Sequence, residues 1–119
     1  VSALIRPGGA LFIYEQHPIL DMIEPAKADT PIVWELSYFN KEPYVDTSGL
    51  DYYGGDTYES KPLYSFSHTM SEVIMAGINN GLTVEHFEER PEHISMTWWN
   101  VENQACQLPM SYTLVMRKA

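Results

Sequence analysis

The sequence predicts an α/β domain assembled from a buried strand, an irregular insert, a helix and a closing antiparallel strand pair. Three observations predict it: the apolar run Ala10-Leu11-Phe12-Ile13-Tyr14 behind the turn Arg6-Pro7-Gly8-Gly9, a helix start at Thr69-Met70-Ser71-Glu72, and two alternating segments, Leu82 to Glu89 and Ser111 to Arg117. At 119 residues there is room for one small core and no second domain.

Taken in order, Val1 to Ile5 reads as the last turn of an amphipathic helix, and Arg6-Pro7-Gly8-Gly9 ends it, because Pro fixes φ and Gly reaches positive φ without steric cost. The run from Ala10 to Tyr14 is apolar at every position, which fits a strand covered on both faces, as in a parallel sheet flanked by helices. Burying its four large side chains at ~1.5–3 kcal/mol each amounts to on the order of 10 kcal/mol, and an uncovered edge there would invite association. From Gln16 to Phe66 no helical period is sustained, and Tyr, Pro, Gly and acidic residues dominate. Within this insert Ile19 to Ile23 makes one helical turn, Ile32 to Phe39 and Pro43 to Val45 are strand-like, and Gly49 to Gly55 is a loop. Inserts of this length in a small domain are usually lids or substrate walls.

Thr69-Met70-Ser71-Glu72 has the pattern of a capping box, in which the Thr hydroxyl accepts from the third helical amide and the Glu reaches back. Met70, Val73, Ile74 and Ile78 form one apolar stripe, and Asn79-Asn80-Gly81 closes the helix. Leu82 and Val84 alternate with Thr83 and Glu85 before Pro91 stops the strand, and Tyr112, Leu114 and Met116 alternate with Thr113 and Val115 in the terminal one.

Composition narrows the function. Hydrophobic residues at 45% and aromatics at 13% are those of a folded protein, not a disordered one. A net charge of −9, with the seven Lys and Arg scattered, makes nucleic acid and anionic membranes poor partners. The lone Cys106 excludes an intrachain disulfide and fits a reducing compartment. With no spanning-length apolar run and no signal pattern at its start, the chain reads as cytoplasmic, and its beginning at Val1 within a helical turn reads as a fragment.

The ordered elements, a helix end followed by Leu4-Ile5-Arg6-Pro7-Gly8-Gly9 and Ala10-Leu11-Phe12-Ile13, then the helix at Thr69 to Asn80, Gly81-Leu82 and the closing Tyr112-Thr113-Leu114-Val115-Met116-Arg117-Lys118, resemble the second half of class I S-adenosylmethionine-dependent methyltransferases. The resemblance implies the carboxy-terminal portion of a Rossmann-like sheet across residues 1–119, with a substrate-side insert at 16–66 and a small-molecule methyl acceptor as partner. It leaves the insert unassigned. The family grips S-adenosylmethionine with an acidic-Gly-x-Gly-x-Gly turn and an acid ending the second strand. Neither occurs here, since Gly8-Gly9 and Gly54-Gly55 have the wrong spacing and context. No cofactor-binding residue is therefore expected in this chain, and the isolated chain is expected to be inactive.

Ligands of open α/β sheets collect beyond the carboxyl ends of the strands, which places Glu15, Gln16 and His17 toward the substrate. Glu15 suits a cationic group, Gln16 a polar contact, and His17 proton abstraction from an acceptor nucleophile. The competing role for His17 is to bond the backbone around Pro18 and shape the turn. Trp34, Tyr38, Tyr52, Tyr53 and Tyr64 are candidate walls of an aromatic pocket. His68 and Glu72, four apart, have metal-ligand spacing but no third ligand, and capping accounts for Glu72, so no metal is expected. Ser65 and Ser67 stand in no nucleophile-elbow pattern. Two other readings compete with a methyltransferase: a non-catalytic α+β binding or dimerisation domain, and a metal-dependent enzyme using His17, His68, His86 and His93. If the chain begins at Val1, the Ala10 to Tyr14 strand is expected to pair with a second copy.

Overall fold

A computed structural model of the protein describes residues 1–23, 32–50 and 57–119. Its centre is a three-stranded antiparallel sheet of β1 (Ala10–Gln16), β4 (Leu82–Arg90) and β5 (Ser111–Lys118), in the order β1-β5-β4. The two ends of the chain thus lie side by side, Ala10 opposite Arg117 and Gln16 opposite Ser111. A hairpin of β2 (Tyr44–Leu50) and β3 (Thr57–Ser65) stands apart from this sheet. Helix α1 (Met70–Asn79) leads into β4, and the short α2 (Trp99–Glu102) lies between β4 and β5.

One face of the sheet carries the main core. Tyr112, Leu114 and Met116 of β5, with Leu82 of β4, pack against Leu11 and Ile13 of β1 and against Met70, Val73 and Ile74 of α1. The capping box forms as predicted, with Glu72 N–H donating to Thr69 Oγ1 at 3.2 Å and Thr69 N–H donating to Glu72 Oε2 at 3.0 Å. Gly81 takes φ 81° immediately after the helix, the conformation for which Gly is suited. The apolar stripe differs at its end: Ile78 is exposed, and the contact at that level is made by Gly77. A Cβ on Gly77 would lie 2.2 Å from Met116 Sδ, so the missing side chain lets α1 settle on β5.

Among the described residues the strand predicted as buried on both faces lies at the edge of the sheet. Leu11 and Ile13 are partly covered, whereas Phe12 and Tyr14 on the other face are 66% and 46% exposed. A run that is apolar at every position hides the period-2 signal, so its pattern cannot distinguish one covered face from two. Its pairing with β5 is antiparallel. β4, the opposite edge, is acidic and bears an irregularity between Val84 and His86, features that discourage edge-to-edge association. Arg117 binds Glu85 there, Nη2 to Oε2 at 2.9 Å.

The insert departs furthest from expectation. Pro18–Met22 is a 3-10 turn, close to the helical turn expected over Ile19 to Ile23. Ile32 to Phe39 is not a strand: the chain bends so that Glu35 and Leu36 N–H both donate to Met22 O, at 2.8 and 3.2 Å. Gly49 and Leu50 belong to β2 and not to a loop, residues 51–56 lie outside the described residues, and β3 went unpredicted because Pro62 and its charges interrupt the pattern. At the amino terminus the expected helix end is a 3-10 turn, Ser2–Leu4. A second core, Leu20, Ile23, Trp98, Val101 and Met110, ties the turn after β1 to the connection before β5.

The Gly77 contact generates a prediction of sign. Ala is the better helix former by about 1 kcal/mol, yet Gly77→Ala is expected to destabilise the protein by up to about 2 kcal/mol net, because the flexible but buried end of Met116 must be displaced. Urea unfolding measures it, and a gain in stability would show that Met116 yields freely.

Candidate functional site

Beyond Gln16 the chain stays on β5 for one more residue, His17 N–H donating to Met110 O at 3.1 Å, before Pro18 turns it away. His17 caps that turn through Nδ1, which accepts from Ile19 N–H at 3.1 Å. The ring proton of the neutral imidazole therefore sits on Nε2, which lies 2.7 Å from Glu89 Oε2. His17 is buried edge-on to the Tyr112 ring, and both its nitrogens serve the turn and β4. Glu15 is exposed, and its Oε1 accepts from Gln16 N–H at 2.9 Å.

Gln16 is held more tightly than its neighbours. Trp98 Nε1, which can only donate, is 2.9 Å from the Gln16 oxygen, and this fixes the orientation of the amide. His93 Nε2 reaches the same oxygen at 2.9 Å and must also carry a hydrogen; in the neutral ring Nδ1 then accepts from Ser95 N–H at 3.0 Å. With its oxygen taken by two donors, the Gln16 amide turns Nε2 toward Asp21 Oδ1, 3.5 Å away. Asp21 also bonds the Ser67 side chain. Partial desolvation lifts the Asp21 carboxyl above its ordinary range although the residue stays exposed, with the Ser67 and Gln16 hydrogen bonds opposing and the charge of Glu15 reinforcing the rise.

Gln16 and Asp21 open onto a cleft of about 560 Å³. Its floor is apolar, made by Leu20, Ile23 and Trp98, and the rings of Tyr44 and Phe66 stand on its wall. Four carboxylates line it, Asp21, Glu35, Glu42 and Asp46, and no Lys, Arg or His is among its described lining residues. The loop carrying Glu35 and Glu42 is tied at one end to Met22 and at the other to α1, where Tyr38 Oη accepts from Met70 N–H at 2.8 Å and Lys41 pairs with Glu72. That pairing and the Thr69 amide hold the Glu72 carboxyl below its ordinary range.

Of the residues singled out in the sequence, Gln16 lines this cleft. Tyr38 anchors the loop behind it, and Trp34 is half exposed outside the lining. Tyr64 pairs with Val45, in the register position next to the Tyr44 and Ser65 pair that lines the cleft, so strand alternation puts it on the other face of the hairpin. Tyr52 and Tyr53 lie outside the described residues. Asp21 and Trp98 are not among the predicted site residues, and His93 is singled out only in the metal-dependent reading; the donor-only indole and the density of acids between positions 21 and 46 are the available signals. The four histidines are dispersed, His68 and His86 lying against Glu72 and Glu88 while His17 and His93 serve the contacts above. Among the described residues no group of three His, Cys, Asp or Glu gathers as metal ligands.

No family model matches the chain, and no curated protein matches it. Among solved structures, a presumed S-adenosylmethionine-dependent methyltransferase from Listeria monocytogenes superposes with a TM-score of 0.63 at 14% identity, over 99% of this chain and 51% of that one. The likeness is one of fold. The protein spans about half the length of that structure, and the match reaches across the insert as well as the regular elements.

The raised Asp21 carboxyl gives a pH-dependent expectation. A group that holds its proton more tightly when folded favours folding at low pH, and this contribution is lost as pH rises through its folded value. Asp21→Asn is therefore expected to raise Tm at pH 7 relative to the wild type, with the difference fading in acid and absent below the ordinary value of 3.8. Thermal unfolding across pH measures it, and equal Tm values at pH 7 would refute the assignment.

Proposed function

We propose that this chain is the acceptor-side part of a S-adenosylmethionine-dependent methyltransferase, and that a small-molecule methyl acceptor occupies the cleft beyond the carboxyl end of β1. The observation that carries the reading is the strand order β1-β5-β4 with the cleft at the end of β1, in a fold like that of the Listeria protein. Open α/β sheets place ligands at such strand ends.

The residues described here do not fit the cofactor itself. The amides of Gly8 and Gly9 are spent within the fold, Gly8 N–H on Lys118 O and Gly9 N–H on Arg6 O, both at 2.9 Å, which leaves neither to cradle a ligand. In the proposal the cofactor grip belongs to another segment of the parent enzyme. When bound, S-adenosylmethionine supplies the methyl group that the acceptor attacks. The chain's own contribution is to bind, align and desolvate the acceptor, since an in-line displacement gains most from orientation. Gln16 and Asp21 orient it, and Leu20, Ile23 and Trp98 exclude water beneath it. Glu15 and His17 flank Gln16 in the chain but are not among the residues that line the cleft. For His17 to serve as the proposed base, Nδ1 must release Ile19 N–H, so that role costs the turn its cap.

A second reading, a non-catalytic α+β binding or dimerisation domain, would use the exposed Phe12 and Tyr14 of β1. In this reading the open edge of β1 pairs with a second copy.

The proposal predicts transfer of labelled methyl from S-adenosylmethionine to a small acceptor by the full-length protein, with kcat/KM lowered on the order of tenfold or more in Gln16→Ala. Absence of both cofactor binding and methyl transfer in the full-length protein would contradict it. For the second reading, light scattering of the 119-residue chain is expected to show a dimer that Phe12→Lys weakens; a monomer at high concentration excludes pairing through β1.

A further inference from the structure

We infer that His17 is a pH-sensitive latch on the turn after β1: its neutral ring fixes the turn that floors the cleft, and its protonated ring keeps Glu89 and lets the turn go. The inference goes beyond the proposed function and stands whether or not the cleft receives a methyl acceptor.

Hydrogen bonding at the ring carries it. His17 is 5% exposed, and each of its nitrogens has a partner of fixed kind. The partner of Nδ1 is Ile19 N–H at 3.1 Å, which can only donate, so the neutral ring carries its hydrogen on Nε2 and donates it to Glu89 Oε2 at 2.7 Å. An imidazolium has a hydrogen on both nitrogens. Its Nε2 contact becomes a charge-assisted bond to the Glu89 carboxylate, whereas Nδ1–H and Ile19 N–H then oppose each other where the cap had been. Glu89 therefore holds the ring, and the cap is the bond that breaks. Imidazole is the side chain that ordinarily changes charge between about pH 5 and 8, so acidification within that span is the signal.

Other titratable groups face the ring from the elements around it. Tyr112 of β5 stands edge-on to it with ring centroids 6.3 Å apart, Asp21 on the turn feels its charge, and Glu15 of β1 acts by charge on both Asp21 and Tyr112. His93, in the segment before β5, bonds the neighbouring Gln16.

What the cap controls is the floor of the cleft. Ile19 packs against the second core, Leu20 and Ile23 belong to it, and both line the cleft with Asp21. Met22 O accepts from Glu35 and Leu36 N–H, so the loop that brings these two residues to the lining hangs from the same turn. A part-buried N–H is unfavourable without an acceptor, and the turn must shift to give Ile19 another one. His17 is thus a positioning residue, which lines no part of the cleft and acts on it through Pro18–Met22.

The test follows the histidine rings and amide hydrogen exchange of the isotopically labelled full-length protein by NMR from about pH 8 to about pH 5. The neutral His17 ring is expected to carry its hydrogen on Nε2. As that ring titrates, exchange at Ile19, corrected for the intrinsic pH dependence of exchange, is expected to accelerate on the order of tenfold or more, as loss of a cap provides. The Leu20 amide and the Trp98 indole are expected to shift with the same midpoint. Two substitutions divide the functions of the ring. In His17→Asn the side-chain oxygen still accepts from the Ile19 amide and takes up no proton, so slow exchange is expected at every pH with no step. In His17→Gln, whose longer amide reaches toward Glu89, Ile19 is expected to exchange fast throughout. Asp21→Asn is expected to retain the step, which separates the ring from the neighbouring carboxyl. The inference is overturned by a neutral ring protonated at Nδ1, by a His17 ring that stays neutral across the range, by Ile19 exchange that ignores the titration, or by a step that survives in His17→Asn or vanishes in Asp21→Asn. The wild-type spectra alone decide the first three, should a variant fail to fold.

Discussion

Everything in this protein hangs on β5. It is the central strand of the sheet, and Ser111, Leu114 and Met116 within it are essentially sealed from solvent. Its hydrogen bonds to β1 and β4 bring the first and last strands of the chain together, a contact of long sequence separation whose loop-closure entropy must be repaid by burial. Repayment comes from the face where Tyr112, Leu114 and Met116 meet α1, and Gly77 lets that helix approach closely. Immediately before β5, Met110 is buried in the second core and accepts from His17 N–H. One strand thus supports both the sheet and the turn from which the cleft is built.

The cleft itself depends on donors and acceptors being matched in a way that leaves little freedom. The indole of Trp98 fixes the amide of Gln16, whose oxygen also accepts from His93 Nε2 and whose nitrogen points at Asp21, and His17 spends one nitrogen on the turn and the other on Glu89. No buried side-chain polar atom among the described residues is left without a partner. Against this satisfied frame Asp21 is a local expense, kept from its ordinary acidity by partial desolvation and by the charge of Glu15. Charges held in unfavourable company at a cavity are common where function, not stability, selects the residue.

Much of the regular structure is legible in the sequence, for reasons that particular residues make plain. Thr69 and Glu72 announce the helix because capping is local, and Leu82 to Arg90 and Ser111 to Lys118 announce strands because one face is apolar and the other is not. Where both faces are apolar, as in Ala10 to Tyr14, the strand is visible but its covering is not. β3 was hidden by Pro62 and its charges, which an outer strand of a hairpin tolerates. The candidate site follows the same division. Gln16 is found from its place at a strand end, whereas Trp98 and Asp21 come to it across 82 and 5 residues through contacts that no local pattern encodes.

The claim that unites fold and function is that the space beyond β1, and not another surface, receives the ligand. The rival is the groove of about 430 Å³ between β1 and α1, lined by Leu11, Val73 and Gly77. The most direct measurement is amide and indole chemical-shift mapping by NMR of the isotopically labelled protein as small amine, alcohol and carboxylate probes are added in turn. The account predicts saturable shifts at the Gln16 side-chain amide, the Trp98 indole and the Ser67 backbone, with Val73 and Gly77 unmoved. Shifts centred on Val73 and Gly77, with Gln16 and Trp98 silent, would contradict it.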